Sequence, residues 1–234
     1  MKKLLIVIFV LLCSVSCSST YPLIEPDCSS THTLFEPDNY VVCNSIVVWR
    51  DDSGNFCIKM FYEITNLSKT NQCYFPSDFD ILDENDNLIY TFTSTNAYPP
   101  IIGYNETTVY ANYGHIEPSR LSFEDNSLRV IPHIEYENTT ANLEEFAVTA
   151  ISVFGSSAMV TVENYHIRKD GYRDVQVVVI FRETSSNQVV SVLVSAIDLL
   201  YPADIKTVKL KEPLEQRAFD PDLVKYQMLA YTEA

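Results

Sequence analysis

The stretch FDILDENDNLIYTF, residues 79–92, carries the strongest local structural signal in the chain. Two runs rich in apolar and aromatic residues flank a polar centre, residues 83–87, which contains only Asp, Glu and Asn. Asp and Asn tolerate left-handed backbone angles and hydrogen-bond to their own main chain, so this centre is typical of a turn. The flanking residue types favour extended backbone. The stretch therefore predicts a strand, a tight turn and a second strand.

Residues 40–65 contain a second hairpin signal. Turn-forming residues 50–54 separate two segments that are rich in β-branched and aromatic residues. In the later segment every other residue is apolar, which predicts a half-buried strand. The residues predicted to face inward are Phe56, Ile58, Met60, Tyr62 and Ile64, and they alternate with Cys57, Lys59 and Glu63. With 15 Tyr and 12 Phe but only 5 Gly, the whole chain predicts an all-β protein.

The pattern of strands and turns repeats along the chain. Asn66 at the end of one strand matches Asn164, 98 residues later. The motif Phe79-x-Ile81-Leu82-Asp83 matches Val178-x-Ile180-Phe181-Arg182 with an offset of 99 residues. A polar turn, a strand, a turn and another strand follow each copy. This period is too long for a solenoid and indicates two tandem β-sandwiches of about 100 residues each.

The repeat divides the chain into two domains of the same kind. A first domain is predicted over residues 40–136 and a second over residues 146–234, joined by a polar linker over residues 137–145. Alternating apolar residues predict a separate core for the second domain. Its predicted members include Val175, Val177, Val179 and Phe181. Each half is therefore expected to fold without the other.

The motif Phe79-Asp80-Ile81-Leu82-Asp83 also resembles the one that names the FxLYD family of immunoglobulin-like domains, found in exported bacterial proteins and lipoproteins. The second copy is similar in strand order, but Val178 stands in place of the motif's Phe and Arg182 in place of its Asp. The resemblance covers most of residues 40–232. It implies two tandem immunoglobulin-like β-sandwiches, and it implies no catalytic residue and no cofactor.

An export signal is predicted over residues 1–16. Two lysines precede an apolar run, residues 4–12, that is too short to span a bilayer comfortably. The residues before Cys17 resemble the bacterial lipoprotein box, in which the cysteine after the cleavage site carries lipid, although Ser14 stands where that family prefers Leu. Lipidation of Cys17 is therefore predicted. Cleavage to a plainly secreted protein is the alternative.

Lipid on Cys17 would make residues 17–39 a tether. This segment is rich in Pro, Ser and Thr, which cannot sustain a helix or an inner strand. A diacylglycerol anchor holds a chain firmly, because each buried methylene contributes about 0.8 kcal/mol. The predicted location is the outer face of the cell membrane or the cell surface, with the membrane as a partner through this anchor.

Four further cysteines, Cys28, Cys43, Cys57 and Cys73, fall in the first part of the mature chain. Outside the cytoplasm an even number of cysteines permits two disulfides with three possible connectivities. At least one bridge among them is predicted, with buried thiols as the alternative. No Cys-x-x-Cys pair is present and His32 is the only nearby imidazole in the sequence, so no metal site is predicted.

Several classes of function receive no support from the sequence. The net charge of −15 argues against nucleic-acid binding, which requires clustered Lys and Arg. Asp83-x-Asn85-x-Asn87 copies the first three ligand positions of an EF-hand loop, but Leu88 replaces the required Gly and Ser94 the required Glu. A solvated turn is therefore predicted there. His115, His133 and His166 have no partner placed by the sequence, so no catalytic residue is predicted.

These observations predict an exported, lipid-anchored protein of the cell envelope that binds or supports a partner without catalysing a reaction or holding a cofactor. The expected partner is a protein or an envelope polymer. Three glycosylation sequons, at Asn66, Asn105 and Asn138, keep an alternative open. That alternative is a secreted glycoprotein of a eukaryote or virus that captures a host ligand.

Overall fold

The computed structural model describes residues 39–51, 53–117, 128–167, 170–212 and 223–233, and all regular elements in this part of the chain are β-strands. The first half contains β1 (Asn39–Arg50), β2 (Phe56–Asn66), β3 (Asn71–Tyr74), β4 (Ser77–Leu82), β5 (Leu88–Thr95), β6 (Ala97–Tyr98), β7 (Ile101–Ile102), β8 (Thr107–Ile116), β9 (Arg129–His133) and β10 (Tyr136–Thr139). The second half contains β11 (Leu143–Glu145), β12 (Ala147–Phe154), β13 (Ser157–Glu163), β14 (Tyr172–Glu183), β15 (Val189–Leu200), β16 (Ile205–Lys211) and β17 (Val224–Glu233). Within these residues no helix is long and apolar enough to cross a membrane.

Antiparallel sheets form a sandwich in each half. In the first, the sheet β1-β2-β8-β6 faces β5-β4-β9, with β10-β3-β7 completing the second layer. In the second, β12-β13-β16 faces β11-β17-β14-β15. Six strands of each half correspond: β1, β2 and β8 match β12, β13 and β16, and β5, β4 and β9 match β15, β14 and β17. This confirms the predicted all-β class and its two immunoglobulin-like sandwiches.

Each sandwich has its own apolar core, as the alternating residues predicted. The inward stripe of β2 and the hairpin residues Phe79, Ile81 and Phe92 lie in the first core. The predicted stripe of β14 lies in the second, where Val175, Val177, Val179 and Phe181 are all fully buried. Independent folding of each half stays a prediction.

The offset of 98 residues is confirmed by a hydrogen-bonded corner that occurs once in each half. The backbone N–H of Asn66 donates to Glu106 O, and the Asn66 side chain donates to Ile102 O and accepts from the N–H of Ser68. Asn164 makes the same three bonds, with partners each 98 residues further along: Asp204 O, Leu200 O and the N–H of His166. Both amide side chains are completely buried.

The offset of 99 residues at the second motif is wrong. It would equate the core residues Phe79 and Ile81 with Val178 and Ile180, which face away from the second core. Side chains of a strand alternate between its two faces, so a shift by one residue exchanges inside and outside. The residues of β14 that face the core are the odd-numbered ones beside Val178 and Ile180.

The predicted linker, residues 137–145, is also corrected. Strand β10 continues the first half to Thr139 by pairing with β3, and β11 begins the second half at Leu143 by pairing with β17. Only residues 140–142 lie between these strands. This segment resembles a linker in the sequence because β10 and β11 are short and none of their side chains is buried, so their residues are mostly polar and do not alternate.

Strand β2 is buried on both faces, so the prediction of a half-buried strand is wrong for its outer face. Cys57, Lys59, Phe61 and Glu63 are as well covered as the inward stripe. A third apolar cluster explains this, because it joins the outer face of β2 and β8 to the second sandwich. Its buried members are Phe61, Val109, Val178, Ile180, Val189, Val192 and Tyr231.

Candidate functional site at the junction of the two sandwiches

Lys59 lies at the centre of the junction with its charge enclosed. Its side chain is 4 % exposed, and Nζ donates a hydrogen bond of 2.8 Å to Val190 O. The ammonium also lies 5.6 Å from the centre of the Phe61 ring and 5.9 Å from that of Trp49. Burial lowers the pKa of Lys59 to about 8, because removal from water penalises the charged form. Lys59 therefore links the first sandwich to the edge strand β15. Removing its ammonium group from water opposes this contact by costing free energy.

Glu212 is the acidic partner of this buried network. Its carboxylate Oε1 accepts a hydrogen bond of 3.0 Å from Ser191 Oγ and lies 3.9 Å from Lys59 Nζ. Burial raises the pKa of Glu212, and the nearby Lys59 charge opposes that shift. Next to them, Tyr113 OH donates to Val192 O at 3.1 Å and accepts from the N–H of Val192 at 3.3 Å. The two sandwiches thus share directional polar contacts as well as apolar ones.

A second ion pair crosses the junction nearer the end of β2. Arg182 Nη2 donates to Glu63 Oε1 at 2.5 Å, and the two side chains are 14 % and 3 % exposed. Ser45 Oγ adds a hydrogen bond of 3.2 Å to Val189 O. Buried polar groups accept only a few geometries, so such contacts fix one orientation of packed surfaces. The junction therefore holds the two sandwiches as one body.

A groove of about 710 Å³ runs along the junction and is lined by both sandwiches. Side-chain amides dominate its polar lining: Asn71, Asn105, Asn142, Asn187 and Gln227. Two of the three charged residues that line it are engaged within the protein. Arg182 is paired with Glu63, and Glu106 accepts a hydrogen bond of 2.6 Å from the N–H of Gly103. Asn71 Nδ2 donates to Asn142 Oδ1 at 2.8 Å, and the lining amides offer further uncharged donors and acceptors, which suit a neutral polar ligand.

The predicted lipidation and disulfide sites are only partly within the described residues. Cys17 and Cys28 lie outside them. Cys57 and Cys73 are not bonded to each other. The backbone of Cys43 lies opposite Glu63, whereas Cys57 lies opposite Trp49, six residues further along β1, or roughly 20 Å. Since a disulfide requires Cα atoms within about 7 Å, a bridge between Cys43 and Cys57 is excluded.

The acidic hairpin of residues 83–87 has the structure of an ordinary turn. Asp83 Oδ1 accepts hydrogen bonds of 2.8 Å from the N–H groups of Asn85 and Asn87, and Oδ2 accepts from Asn87 Nδ2. These hydrogen bonds lower the pKa of Asp83, and the bond from the Asn87 side chain has the largest effect. The neighbouring acids have separate partners: Asp86 is paired with Arg129, and Asp80 accepts from Thr91. The arrangement agrees with the predicted turn.

Two histidines lie beside carboxylates, and neither pairing could be predicted from the sequence. His133 Nε2 is 3.0 Å from Asp80 Oδ2, and His166 Nδ1 is 3.2 Å from Glu144 Oε1. The side chain of His133 is more than half exposed on the outer face of its sheet. Neither histidine is among the residues that line the groove.

A third histidine, His115, lies beside a thiol rather than a carboxylate. Its Nδ1 is 3.5 Å from Cys57 Sγ. A carboxylate oxygen of Asp51 lies within 4.8 Å of Cys57 Sγ and of one imidazole nitrogen of His115. Sequence reasoning missed this group because the two residues are 58 positions apart. The only available signal was the strand register, which places Cys57 and His115 opposite each other in β2 and β8.

The three sequons differ in their surroundings. Asn66 is completely buried, and its amide donates to Thr70 O and Ile102 O, so its nitrogen cannot carry a glycan in the folded protein. Asn105 and Asn138 are exposed. Only Asn105 and Asn138 therefore remain as candidate glycosylation positions.

No family model matches this chain, and the comparison with curated proteins found no match. The resemblance to the FxLYD family stays a prediction.

Proposed function

We propose that this protein is a non-enzymatic binding protein of the cell envelope, held at the outer face of the membrane by lipid on Cys17. Its ligand is a neutral envelope glycan that lies in the groove between the two sandwiches. The observation that supports this proposal is the groove itself, which both sandwiches line with side-chain amides while two of its charged residues, Arg182 and Glu106, bond within the protein.

The chemistry of the groove favours a glycan over charged ligands. Amide side chains both donate and accept hydrogen bonds, as sugar hydroxyls do, so the two sets of groups can pair along an extended chain. The net charge of −15 opposes an anionic ligand such as a nucleic acid. A junction fixed by buried ion pairs keeps the groove preformed, which lowers the entropy lost on binding.

Binding of the mature chain to purified neutral envelope glycan tests the ligand. Gln227→Ala and Asn142→Ala should each weaken binding by about 2- to 10-fold, because each removes an amide that lines the groove, worth about 0.5–1.5 kcal/mol. Asn142→Ala also removes the acceptor of a hydrogen bond from Asn71 Nδ2. Asn85→Ala is the matched control, since Asn85 is an exposed amide in the distant hairpin turn. Equal affinity in all three variants, or binding of peptides but not of glycan, contradicts the proposed ligand.

The anchor requires its own test. Intact mass of the membrane-extracted protein should show a chain that begins at Cys17 and carries lipid. Cys17→Ala should release the protein into the soluble fraction. A wild-type product that is soluble and begins at Ser18 or later contradicts the anchor but leaves the groove proposal standing.

A further inference from the structure

Three potential metal-binding side chains meet at the end of β2 that lies farthest from the groove. Cys57 and His115 are cross-strand partners of β2 and β8, and such pairs bring their Cβ atoms within about 4.5–5.5 Å. Asp51 reaches them from the turn between β1 and β2. One of its carboxylate oxygens, Cys57 Sγ and one imidazole nitrogen of His115 all lie within 4.8 Å of one another.

The turn holds the Asp51 carboxylate in place. Oδ1 accepts hydrogen bonds from the N–H groups of Ser53, at 3.0 Å, and Asn55, at 2.7 Å. Oδ2 accepts one bond of 3.0 Å, from Asn55 Nδ2, which leaves that oxygen with lone-pair capacity. Outer hydrogen bonds of this kind orient the carboxylate ligands of metal ions.

We propose that Asp51, Cys57 and His115 bind a zinc ion. Zinc lies about 2.3 Å from a cysteine sulfur and about 2.0–2.1 Å from a histidine nitrogen in tetrahedral sites, which places the two ligand atoms about 3.6 Å apart. The observed distance between Cys57 Sγ and His115 Nδ1 is 3.5 Å. The two strands thus preset one edge of the tetrahedron, and a small movement of the Asp51 side chain completes a third ligand.

The donor set selects the metal. One sulfur, one imidazole nitrogen and one carboxylate oxygen suit zinc, whereas calcium and magnesium require mostly oxygen ligands. Binding converts the Cys57 thiol to a thiolate, so one zinc ion enters and one proton leaves. Cys57 is buried and His115 is exposed, so the cluster lies at the edge of the folded protein, where a metal ion can reach it from solvent.

Cobalt(II) is the probe for this site, because a bound thiolate gives it an intense charge-transfer absorption. The reduced full-length protein should bind one cobalt ion with this absorption, and zinc should displace the cobalt. Cys57→Ser should abolish the absorption. His115→Gln and Asp51→Asn should each weaken zinc binding by at least about 10- to 100-fold, the loss that even outer partners of a metal ligand cause.

Cys73→Ser and His133→Gln are the matched controls, since each removes the same chemical group outside the cluster and should leave metal binding unchanged. His115 is exposed, so its substitution separates loss of a ligand from loss of the fold. The proposal is overturned if cobalt binds without the thiolate absorption, or if His115→Gln binds zinc as tightly as the wild type. It is also overturned if Cys57 is in a disulfide in protein taken from its native compartment. None of these outcomes bears on ligand binding in the groove.

Discussion

Strand β2 of the first sandwich and strand β13 of the second occupy the same place in the repeat but have different surroundings. On the inner face, Met60, Tyr62 and Ile64 correspond to Ala158, Val160 and Val162, and all of them are buried in a core. On the outer face, Phe61 is 1 % exposed, whereas its counterpart Met159 is 45 % exposed. The second sandwich covers the outer face of β2, whereas the outer face of β13 stays partly exposed.

The difference shows which residues the fold requires and which the junction requires. Both strands need apolar residues at alternate positions, because each closes a sandwich. Lys59 and Glu63 have the small counterparts Ser157 and Thr161, which remain partly exposed. Charged and aromatic residues on the outer face of β2 therefore belong to the contact between sandwiches rather than to the immunoglobulin-like fold.

Truncating the matched pair Phe61 and Met159 should give the largest contrast. Phe61→Ala empties part of the junction cluster and should lower the free energy of unfolding by about 3–5 kcal/mol. Met159→Ala should change it by no more than about 0.5 kcal/mol, since that side chain is largely in solvent. Urea denaturation of the full-length protein measures both. If Phe61→Ala lowers the free energy of unfolding no more than Met159→Ala does, the junction does not contribute to stability.

Removing one charge from the buried network should cost almost as much. Lys59→Met leaves Glu212 enclosed without its cation and should lower the free energy of unfolding by about 3–5 kcal/mol. The double variant Lys59→Met/Glu212→Leu should recover most of this loss, because Glu212 is then no longer a buried charge without its partner. Ser157→Met, at the counterpart position in β13, is the control and should have little effect. A double variant as unstable as the single one contradicts this account.

The pH dependence of stability should report Lys59 directly. Its pKa is lowered from 10.5 to about 8, so between these values the unfolded chain binds more protons at this position than the folded chain. The free energy of unfolding must then rise with pH, by about 2 kcal/mol from pH 7 to about pH 9.5. Lys59→Met lacks this titratable group, so its free energy of unfolding should not show this increase with pH. Parallel pH profiles of the two proteins contradict burial of a charged Lys59.

The two buried corners should give the smallest contrast, because they are alike. Asn66→Ala and Asn164→Ala each leave a buried carbonyl and a backbone N–H without a partner, at about 1–3 kcal/mol per corner. Thermal unfolding of the full-length variants measures both losses. A severe effect at one corner and none at the other would show that the repeat is structural in only one half.

Much of the fold could be predicted because its signals are local. The turn at residues 83–87 forms through bonds that Asp83 makes to residues within four positions of itself. The inward stripe of β2 and that of β14 follow from alternation within a single strand. The corner at Asn66 could be matched to Asn164 because the same residue recurs at the same point of the repeat.

The candidate sites depended on contacts between distant residues. Arg182 meets Glu63 across 119 positions, and nothing beside either residue in the sequence indicates the other. The alternation of β2 gave a wrong prediction for the same reason: charged residues indicate an exposed face unless another surface covers them. Cys57 and His115 became neighbours only when β2 and β8 paired in one register.

The sequence by itself determined the all-β class, the two repeats and the inner face of each core, because side-chain alternation and turn chemistry act over a few residues. The tertiary structure alone decided that Lys59 and Glu212 are enclosed, that a groove lies between the sandwiches, and that Asp51, Cys57 and His115 meet. Those features arise only when sheets pair and pack. The identity of a charged residue does not indicate whether water or protein will surround its side chain.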